Sequence, residues 1–565
     1  MSKFISGGME RYIHQKAALR RLIELGGIGA LLMEPGTGKT AVAIDYACLM
    51  ALKQPEVDGA KECRVLVIAP LAAVDTWVQQ AEIFMSPQVN YWAEAIGGSL
   101  MQRAETLAAR GNQRMTKGTL RRRSIGGGTL MPTPDRAEGW QRAIDWSGRS
   151  SEGRTLRHSD GPSGLGNDLP RVVIEVINYD TLSSRRSLSS SKTVADYVLE
   201  GIKRYAPDLV ILDESHKIKG HTSNISRMSD RISAIASRRM ILTGTVMPAS
   251  PLDIFAQWRF LDPYAFGHVD EDNIVRRATF SSFSFRYAVK GGYLGHQVIG
   301  YRNIDDLQDI MGLRSFVVRK KDALDLPPVI ETVIRVQLSL PERKAYQEMK
   351  KNLALEFSNG ATSSVSNALV QMMRLRQITA GHLPDDMGIV RELGTSKADV
   401  ISSIVHDTLP DEKRIVVFTL FTHELDMMRR KLAKSGTTVE TISGATPNAD
   451  RIAIRRRFGD LENNPERIVL VAQIKTLSLA VNELVTAQNI IFGSLSQQRD
   501  DLIQAIDRLN RIGQTGDKVT VWFAEAPGTI DTVIHQSHRD GTALEQAILD
   551  HVLSSNPWEE GQDDE

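Results

Sequence analysis

Only two cysteines, Cys48 and Cys63, occur in 565 residues. That excludes a four-cysteine zinc site and a disulfide framework, and it suits a reducing compartment. Long apolar runs are also missing. No window approaches the roughly 20 apolar residues of a membrane span. The opening "MSKFISGGMERYIHQK" has no apolar stretch of the kind a signal peptide carries. A soluble intracellular protein is expected. An excess of either charge is lacking too: 69 Lys and Arg stand against 68 Asp and Glu. The chain is no polycation, so any nucleic-acid contact must be a local patch. What is present is a 42% apolar fraction, enough for well-buried cores. At roughly 150 residues per domain, the length suits about three or four units, or two large ones with insertions.

Short apolar runs alternate with helical patterns. "GIGALLM" precedes a glycine loop and "TAVAIDYACLMALK" follows it; "RVLVIAP", "RVVIEVINY", "PDLVILDE" and "RRMILTGT" read as buried strands. This rhythm predicts an α/β fold with parallel sheets. Between Gly97 and Pro170 it breaks into Gly, Ser and Arg-rich sequence such as "RRRSIGGGTLMPTP". Such a stretch cannot bury enough apolar surface to offset its ordering entropy, so 97–170 is expected to be a mobile insertion, with Trp140 and Trp146 anchoring part of it as a helix. Its run Arg121, Arg122, Arg123 fits a solvated face or a phosphate-binding arm. Residues 340–395 look helical. A second α/β rhythm starts at "SKADVISSIVHDTL" and continues through "RIVVFTL", "RIVLVAQ", "NIIFGSL" and "KVTVWFAEA".

Three constellations carry chemistry. In "LLMEPGTGKT" (31–40), Gly36, Thr37, Gly38, Lys39 and Thr40 sit between a strand and a helix. Glycines there let backbone N–H groups turn toward phosphate oxygens, and the helix N-terminus adds a favourable dipole. Lys39 would neutralise β/γ-phosphates and the Thr40 hydroxyl would ligate magnesium. A plain glycine turn before a helix is the competing reading, and Met33 occupies the place of the usual leading glycine. In "LVILDESHKI", Asp213 and Glu214 end an apolar strand, where ligands bind in parallel sheets. Asp213 would hold magnesium through water and Glu214 would polarise the attacking water. A solvated helix start is the alternative. In "QAIDRLNRIGQT" (504–515), Gln504, Arg508 and Arg511 have helical spacing and would share one face.

Taken in order along the chain, these segments resemble the Snf/Swi-type DNA translocase family of superfamily-2 helicase-like ATPases. "RYIHQ", "MEPGTGKT", "APLAAVDTWVQQ" with Trp77, "VINYDTL", "DESH", "LTGTVMPASPLDIFAQWRFLDP", "LRQI", "RIGQ" and "GTID" correspond to the family's motifs. That family does not require the leading glycine, so Met33 is no obstacle. The resemblance implies two RecA-like lobes of the P-loop NTPase type, ATP and magnesium as cofactors, and movement along duplex DNA. It implies that Gln15 reads adenine, that Gln504 belongs to the ATP site, and that Arg508 and Arg511 act on the phosphates with Lys39 and Glu214 in hydrolysis. It implies that His216 couples the ATP site to Thr243 and Thr245. Pro70, Asn178 and Tyr179 are placed with the DNA contacts. The expected domains are a first lobe at 1–330 with a helical extension at 264–330, a helical protrusion at 331–395, a second lobe at 396–545 and an acidic tail at 546–565.

Departures from the family pattern bear on function. Val246 and Ala249 replace Pro and Asn after "LTGT", and "TLSLAVNEL" has Ala480 in a glycine place, with only Asn482 and the apolar positions fitting. Glycine permits close backbone approach, so coupling of DNA contact to hydrolysis is expected to be altered. Three activities fit: a duplex-DNA translocase, a strand-separating helicase of the same superfamily, and a DNA-binding clamp with weak ATPase. Protein–DNA complexes and replication or recombination intermediates are the natural further partners. The lean chain suits a bacterial or virus-encoded protein of the cytoplasm, or a nuclear one if eukaryotic.

Overall fold

The structure is a computed structural model describing residues 11–53, 61–111, 155–158, 169–183, 193–244, 250–270, 272–291, 297–358, 365–385, 387–433, 436–477, 483–511 and 513–540. It divides into two compact units, Met1–Leu324 and Asp325–Glu565.

The first unit is built on β1 (Ile28–Met33), β2 (Glu62–Ala69), β3 (Asn90–Ala95), β4 (Thr155–His158), β5 (Arg171–Asn178), β6 (Leu209–Asp213) and β7 (Arg238–Thr243). With β12 (Ser315–Val318) they form one sheet of order β12-β1-β7-β6-β2-β5-β3-β4. Every pairing is parallel except β3 with β4. Parallel strands buried on both faces must be apolar almost throughout, and Val65 to Ala69 of β2 are all at most 1% exposed. One face carries α1 (Ile13–Glu24), α2 (Lys39–Lys53) and α3 (Leu71–Phe84), contributing Leu19, Leu22, Ile44, Val74 and Trp77 to the core. The other carries α4 (Leu100–Gly111) and α5 (Val194–Tyr205), with Ala104, Leu107, Val198 and Ile202 inside.

Helix α4 corrects one expectation. The mobile insertion was expected from residue 97, yet 100–111 is an integral helix of the first unit and β4 adds a strand to the sheet edge. Ala104 and Leu107 recur at helical spacing and are fully buried. Arg121, Arg122, Arg123, Trp140 and Trp146 lie outside the described residues. The α4–α5 approach is close: a Cβ on Gly201 would stand 2.6 Å from the Ala104 carbonyl oxygen. Gly201→Val is expected to destabilise the first unit by roughly 1–3 kcal/mol, because overpacked cores must shift backbone. Urea unfolding followed by circular dichroism checks this; an unchanged midpoint would mean α4 yields freely.

The segment 264–330, expected to be a helical extension, has the helices Phe280–Tyr287, Ile304–Leu313 and Lys320–Ala323 but also several short strands. Hairpins β8–β9 (His268–Val269, Val275–Arg276) and β10–β11 (Ala288–Gly291, Gln297–Tyr301) flank the helix Phe280–Tyr287, and β12 belongs to the main sheet. These strands are short and mostly exposed, so they show no buried apolar run to the eye.

The second unit has a six-stranded, all-parallel sheet of order β13-β20-β19-β16-β18-β17. Its strands are β13 (Val329–Arg335), β16 (Arg414–Thr419), β17 (Thr438–Ile442), β18 (Ile468–Gln473), β19 (Asn489–Phe492) and β20 (Val519–Glu525), with a separate hairpin β14–β15 (His382–Pro384, Val390–Glu392). A boundary at 330 would cut β13, which pairs with β20 over its whole length. Residues 331–395, expected to be a helical protrusion, are rooted in this unit. Tyr346, Leu353, Leu375 and Ile378 of the helices Leu340–Ser358 and Val365–Thr379 are buried in this unit's own core. Among the described residues no helix is long and apolar enough to cross a membrane.

Candidate functional site

Strand β1 ends at Met33, and the glycine loop turns directly into α2. Gly36 and Gly38 have φ of 85° and 92°, left-handed values that an L side chain resists. A Cβ on Gly38 would also lie 2.1 Å from Nε2 of Gln15. The Met33 side chain is buried, while its carbonyl accepts a hydrogen bond from Nζ of Lys39 at 2.7 Å. The leading position of the loop therefore contributes only backbone, and a methionine serves there because its side chain belongs to the core. Gln15 is buried. It accepts from Tyr12 N–H and donates to the Thr37 carbonyl at 3.1 Å, so it braces the loop. His14 reaches the same carbonyl at 2.8 Å, a contact no motif announced.

The acidic pair lies at the carboxyl end of β6, in the same sheet. Trp77 of α3 donates its indole N–H to Asp213 Oδ2 at 2.8 Å, the Glu214 amide donates to Oδ1, and the Tyr179 hydroxyl donates to the Asp213 carbonyl at 2.8 Å. Burial, then the adjoining Glu214 carboxylate, push Asp213 above the ordinary carboxylate range; Trp77 and the Lys39 ammonium oppose the rise. Two carboxylates crowded at one strand end, with Lys39 charge felt there, form a donor set that a divalent cation would relieve. With the left-handed Gly36 and Gly38, the Lys39 ammonium and the Thr40 hydroxyl, the residues fit a magnesium nucleotide. Glu214 itself has φ 50° and ψ 55°, a left-handed conformation costing about 1–3 kcal/mol for a non-glycine residue. Such strain is retained where the side chain must be aimed. Its carboxylate lies 3.4 Å from His216 Nδ1, which in turn lies 3.4 Å from Thr243 Oγ1 at the end of β7. Of the residues expected to couple the site, His216 and Thr243 are thus in contact, and Thr245 falls outside the described residues.

Pro70, Asn178 and Tyr179, expected among DNA contacts, are buried. Asn178 Oδ1 accepts from Arg103 Nη1 at 2.5 Å and from the Thr181 hydroxyl at 2.8 Å, and Arg103 Nη1 also donates to Thr181 Oγ1 at 2.8 Å.

In the second unit, Gln504 lies on the helix Arg499–Asp507, but Arg508 is its C-cap and Arg511 stands beyond it. The expected single helical face is therefore not formed. Tight bonds take over: Leu509 N–H to the Ile506 carbonyl, Gln514 N–H to the Arg511 carbonyl. Gly513 takes φ 99°, and the Gln514 amide donates to the Ala487 and Leu509 carbonyls. Burial first, then the Arg508 charge, pull Arg511 down to about 10. The segments "LRQI" and "GTID" meet in this unit's interior: Asp531 accepts from Thr379 at 3.0 Å and pairs with Lys397 at 2.7 Å, and its charge is felt by the buried Arg376. Val246, Ala249, Ala480 and Asn482 lie outside the described residues.

A family model described as "SNF2-related domain" matches residues 171–382, and one described as "Helicase conserved C-terminal domain" matches residues 396–513. Together they cover more than half of the chain. The chain belongs to the SNF2-type family of helicase-like proteins. The glycine loop precedes the first matched span, so its assignment rests on its own geometry. Among relatives of this SNF2-type chain, the "DNA annealing helicase and endonuclease ZRANB3" of Bos taurus is 25% identical over 359 residues, covering 60% of this chain and 30% of that protein. The "CHD3-type chromatin-remodeling factor PICKLE" of Arabidopsis thaliana is 24% identical over 371 residues, covering 63% and 25%. The "Uncharacterized ATP-dependent helicase MG018" of Mycoplasma genitalium is 24% identical over 344 residues, covering 60% and 30%. The SNF2-type chain thus spans less than a third of the length of these curated relatives. The solved "Sulfolobus solfataricus SWI2/SNF2 ATPase core in complex with dsDNA" aligns over 97% of this chain and 96% of that one, at 19% identity and a TM-score of 0.35, a likeness too loose to carry weight.

Proposed function

We propose that this SNF2-type protein hydrolyses ATP to move along duplex DNA. One observation carries the reading: a glycine loop with Lys39, and the Asp213–Glu214 pair, stand at the carboxyl edge of one parallel sheet in a chain with both family domains. Gly36, Thr37, Gly38 and Lys39 would bind the phosphates, braced by Gln15, whose adenine reading belongs to the same proposal. Thr40 and Asp213 would hold magnesium, which when bound neutralises phosphate charge. Glu214 would orient and polarise the attacking water. His216 and Thr243 would report the state of the site toward the DNA face. Gln504, Arg508 and Arg511 would act on the phosphates of ATP, as the family resemblance implies.

ATP turnover of the purified chain is expected to rise with duplex DNA of any sequence, because backbone contacts carry no direct sequence information. Several neutralised phosphates release several counterions, so apparent affinity should fall by several log units per log unit of salt, at about 0.9 per phosphate contacted. Turnover assays with duplex, single strands and RNA between low and physiological salt check this. Stimulation by RNA alone would overturn the duplex assignment. A forked duplex that is unwound would favour the strand-separating activity over pure translocation.

A further inference from the structure

We infer that Arg103 is a positioning residue for the hydrolytic site: it fixes the turn that carries Tyr179, and through the Tyr179 hydroxyl the strand end that presents Asp213. This rests on the proposed ATPase reading of that site. The connections are continuous. Arg103 leaves α4 half-buried, and its Nη1 bonds both Asn178 Oδ1 and Thr181 Oγ1. Asn178 closes β5, and Thr181 sits in the 3-10 turn Tyr179–Leu182 that follows. The Thr181 hydroxyl donates onward to Asn178 Oδ1, so one guanidinium nitrogen clamps both ends of the turn. Between these clamped residues, Tyr179 sends its hydroxyl to the Asp213 carbonyl at 2.8 Å. Asp213 is held on its other side by Trp77. The carbonyl contact fixes the backbone of Asp213, the indole fixes its carboxylate.

The linkage has a reason in the fold. β5 and β6 are not neighbours; β2 lies between them. The sheet ladder alone therefore does not tie the end of β5 to the end of β6, and Tyr179 spans that gap by a side chain. Without Arg103 the turn would keep its backbone bond from Ser183 N–H to the Asp180 carbonyl, but the pairing of Asn178 with Thr181 would lose its charged donor. Charge-assisted bonds are the stronger ones, and outer residues that orient a metal-binding carboxylate have large effects on metal affinity.

The test uses the full chain and three single variants: Arg103→Met, Arg103→Lys and Tyr179→Phe, with the double variant Arg103→Met/Tyr179→Phe. Two quantities are read: the magnesium concentration giving half-maximal binding of a fluorescent ATP analogue, and ATP turnover. Arg103→Met and Tyr179→Phe should each raise the magnesium requirement by about tenfold, with Arg103→Lys recovering part of the loss. The double variant should be little worse than the worse single, since both changes interrupt one linkage and coupled residues are not additive. An unchanged magnesium requirement in Arg103→Met, or effects that multiply in the double variant, would overturn the inference. If Arg103→Met loses thermal stability, Tyr179→Phe decides alone, because it deletes one oxygen without opening a cavity; no shift there is also an overturning result. A wild-type chain that neither binds nor hydrolyses ATP removes the ATPase reading itself, whereas normal wild-type activity with unshifted variants removes only the role of Arg103.

Discussion

Lys39→Ala is expected to lower ATP turnover at least about a hundredfold, the loss seen when one preorganised donor to a developing charge is removed, with the fold intact. The reason is local. Lys39 opens α2 directly after Gly38, and its ammonium is fixed to the Met33 carbonyl at 2.7 Å close enough to Asp213 for its charge to be felt. A cation so placed at a helix N-terminus adds to the helix dipole in attracting phosphate. The stability lost with it is small, about 1 kcal/mol for one hydrogen bond, because Lys39 is only half-buried and contributes no side chain to the core. Melting temperature and turnover therefore separate the two roles: an unchanged melt with collapsed turnover supports the nucleotide site. Near-wild-type turnover in a folded Lys39→Ala chain would sink the assignment of the glycine loop, and with it the functions given to Thr40 and Asp213.

Much of the scaffold could be read from residue order because parallel strands buried on both faces leave near-continuous apolar runs. β2, β5, β16 and β18 are of that kind. β13 and β17 are not: "VIETVIR" and "TVETI" place polar residues at the sheet margin, where one side meets solvent and burial is partial. α4 was hidden for another reason. Its spacing of Leu100, Ala104 and Leu107 is a helical signal, but the Gly, Ser and Arg-rich sequence behind it set the reading for the whole stretch. In the site, the glycine loop and the Asp213–Glu214 pair were legible because each is a short local string, whereas the His216–Thr243 contact, 27 positions apart, came only through the family resemblance. The bonds that hold Asp213 were not. Trp77 and Asp213 are 136 positions apart, and Arg103 and Asn178 are 75, so only the topology brings them together. The end of the arginine helix is an intermediate case. Gly513, with its left-handed φ, is a C-terminal signal that stood two residues past Arg511 and argued against one continuous helical face.

That break changes the argument for Arg511 without weakening the expected result. Arg511→Ala should bind ATP and DNA nearly as wild type does and hydrolyse ATP about 10³- to 10⁵-fold more slowly, roughly 4–7 kcal/mol of transition-state stabilisation. During phosphoryl transfer, charge spreads over the equatorial oxygens, and a planar guanidinium with paired donors stabilises it. A helix would give Arg511 a position by regular spacing; here a tight turn does so. Gln514 ties the Arg511 carbonyl by its backbone N–H, and its side-chain amide is anchored on Leu509 and Ala487. Burial already pulls the guanidinium down to about 10, which leaves it charged at neutral pH while much of its hydration has been removed during folding. A partly desolvated, fixed cation has less reorganisation to complete when charge develops near it. Arg508 caps the helix and repels Arg511, so Arg508→Ala should cost less than Arg511→Ala. Arg511→Lys should fail nearly as badly as alanine, since a compact ammonium cannot reproduce the planar fork. Single-turnover hydrolysis at saturating ATP and duplex DNA, beside equilibrium nucleotide binding, makes the comparison. An Arg511→Ala chain that keeps most of its DNA-stimulated turnover would mean that Arg511 does not supply the charge.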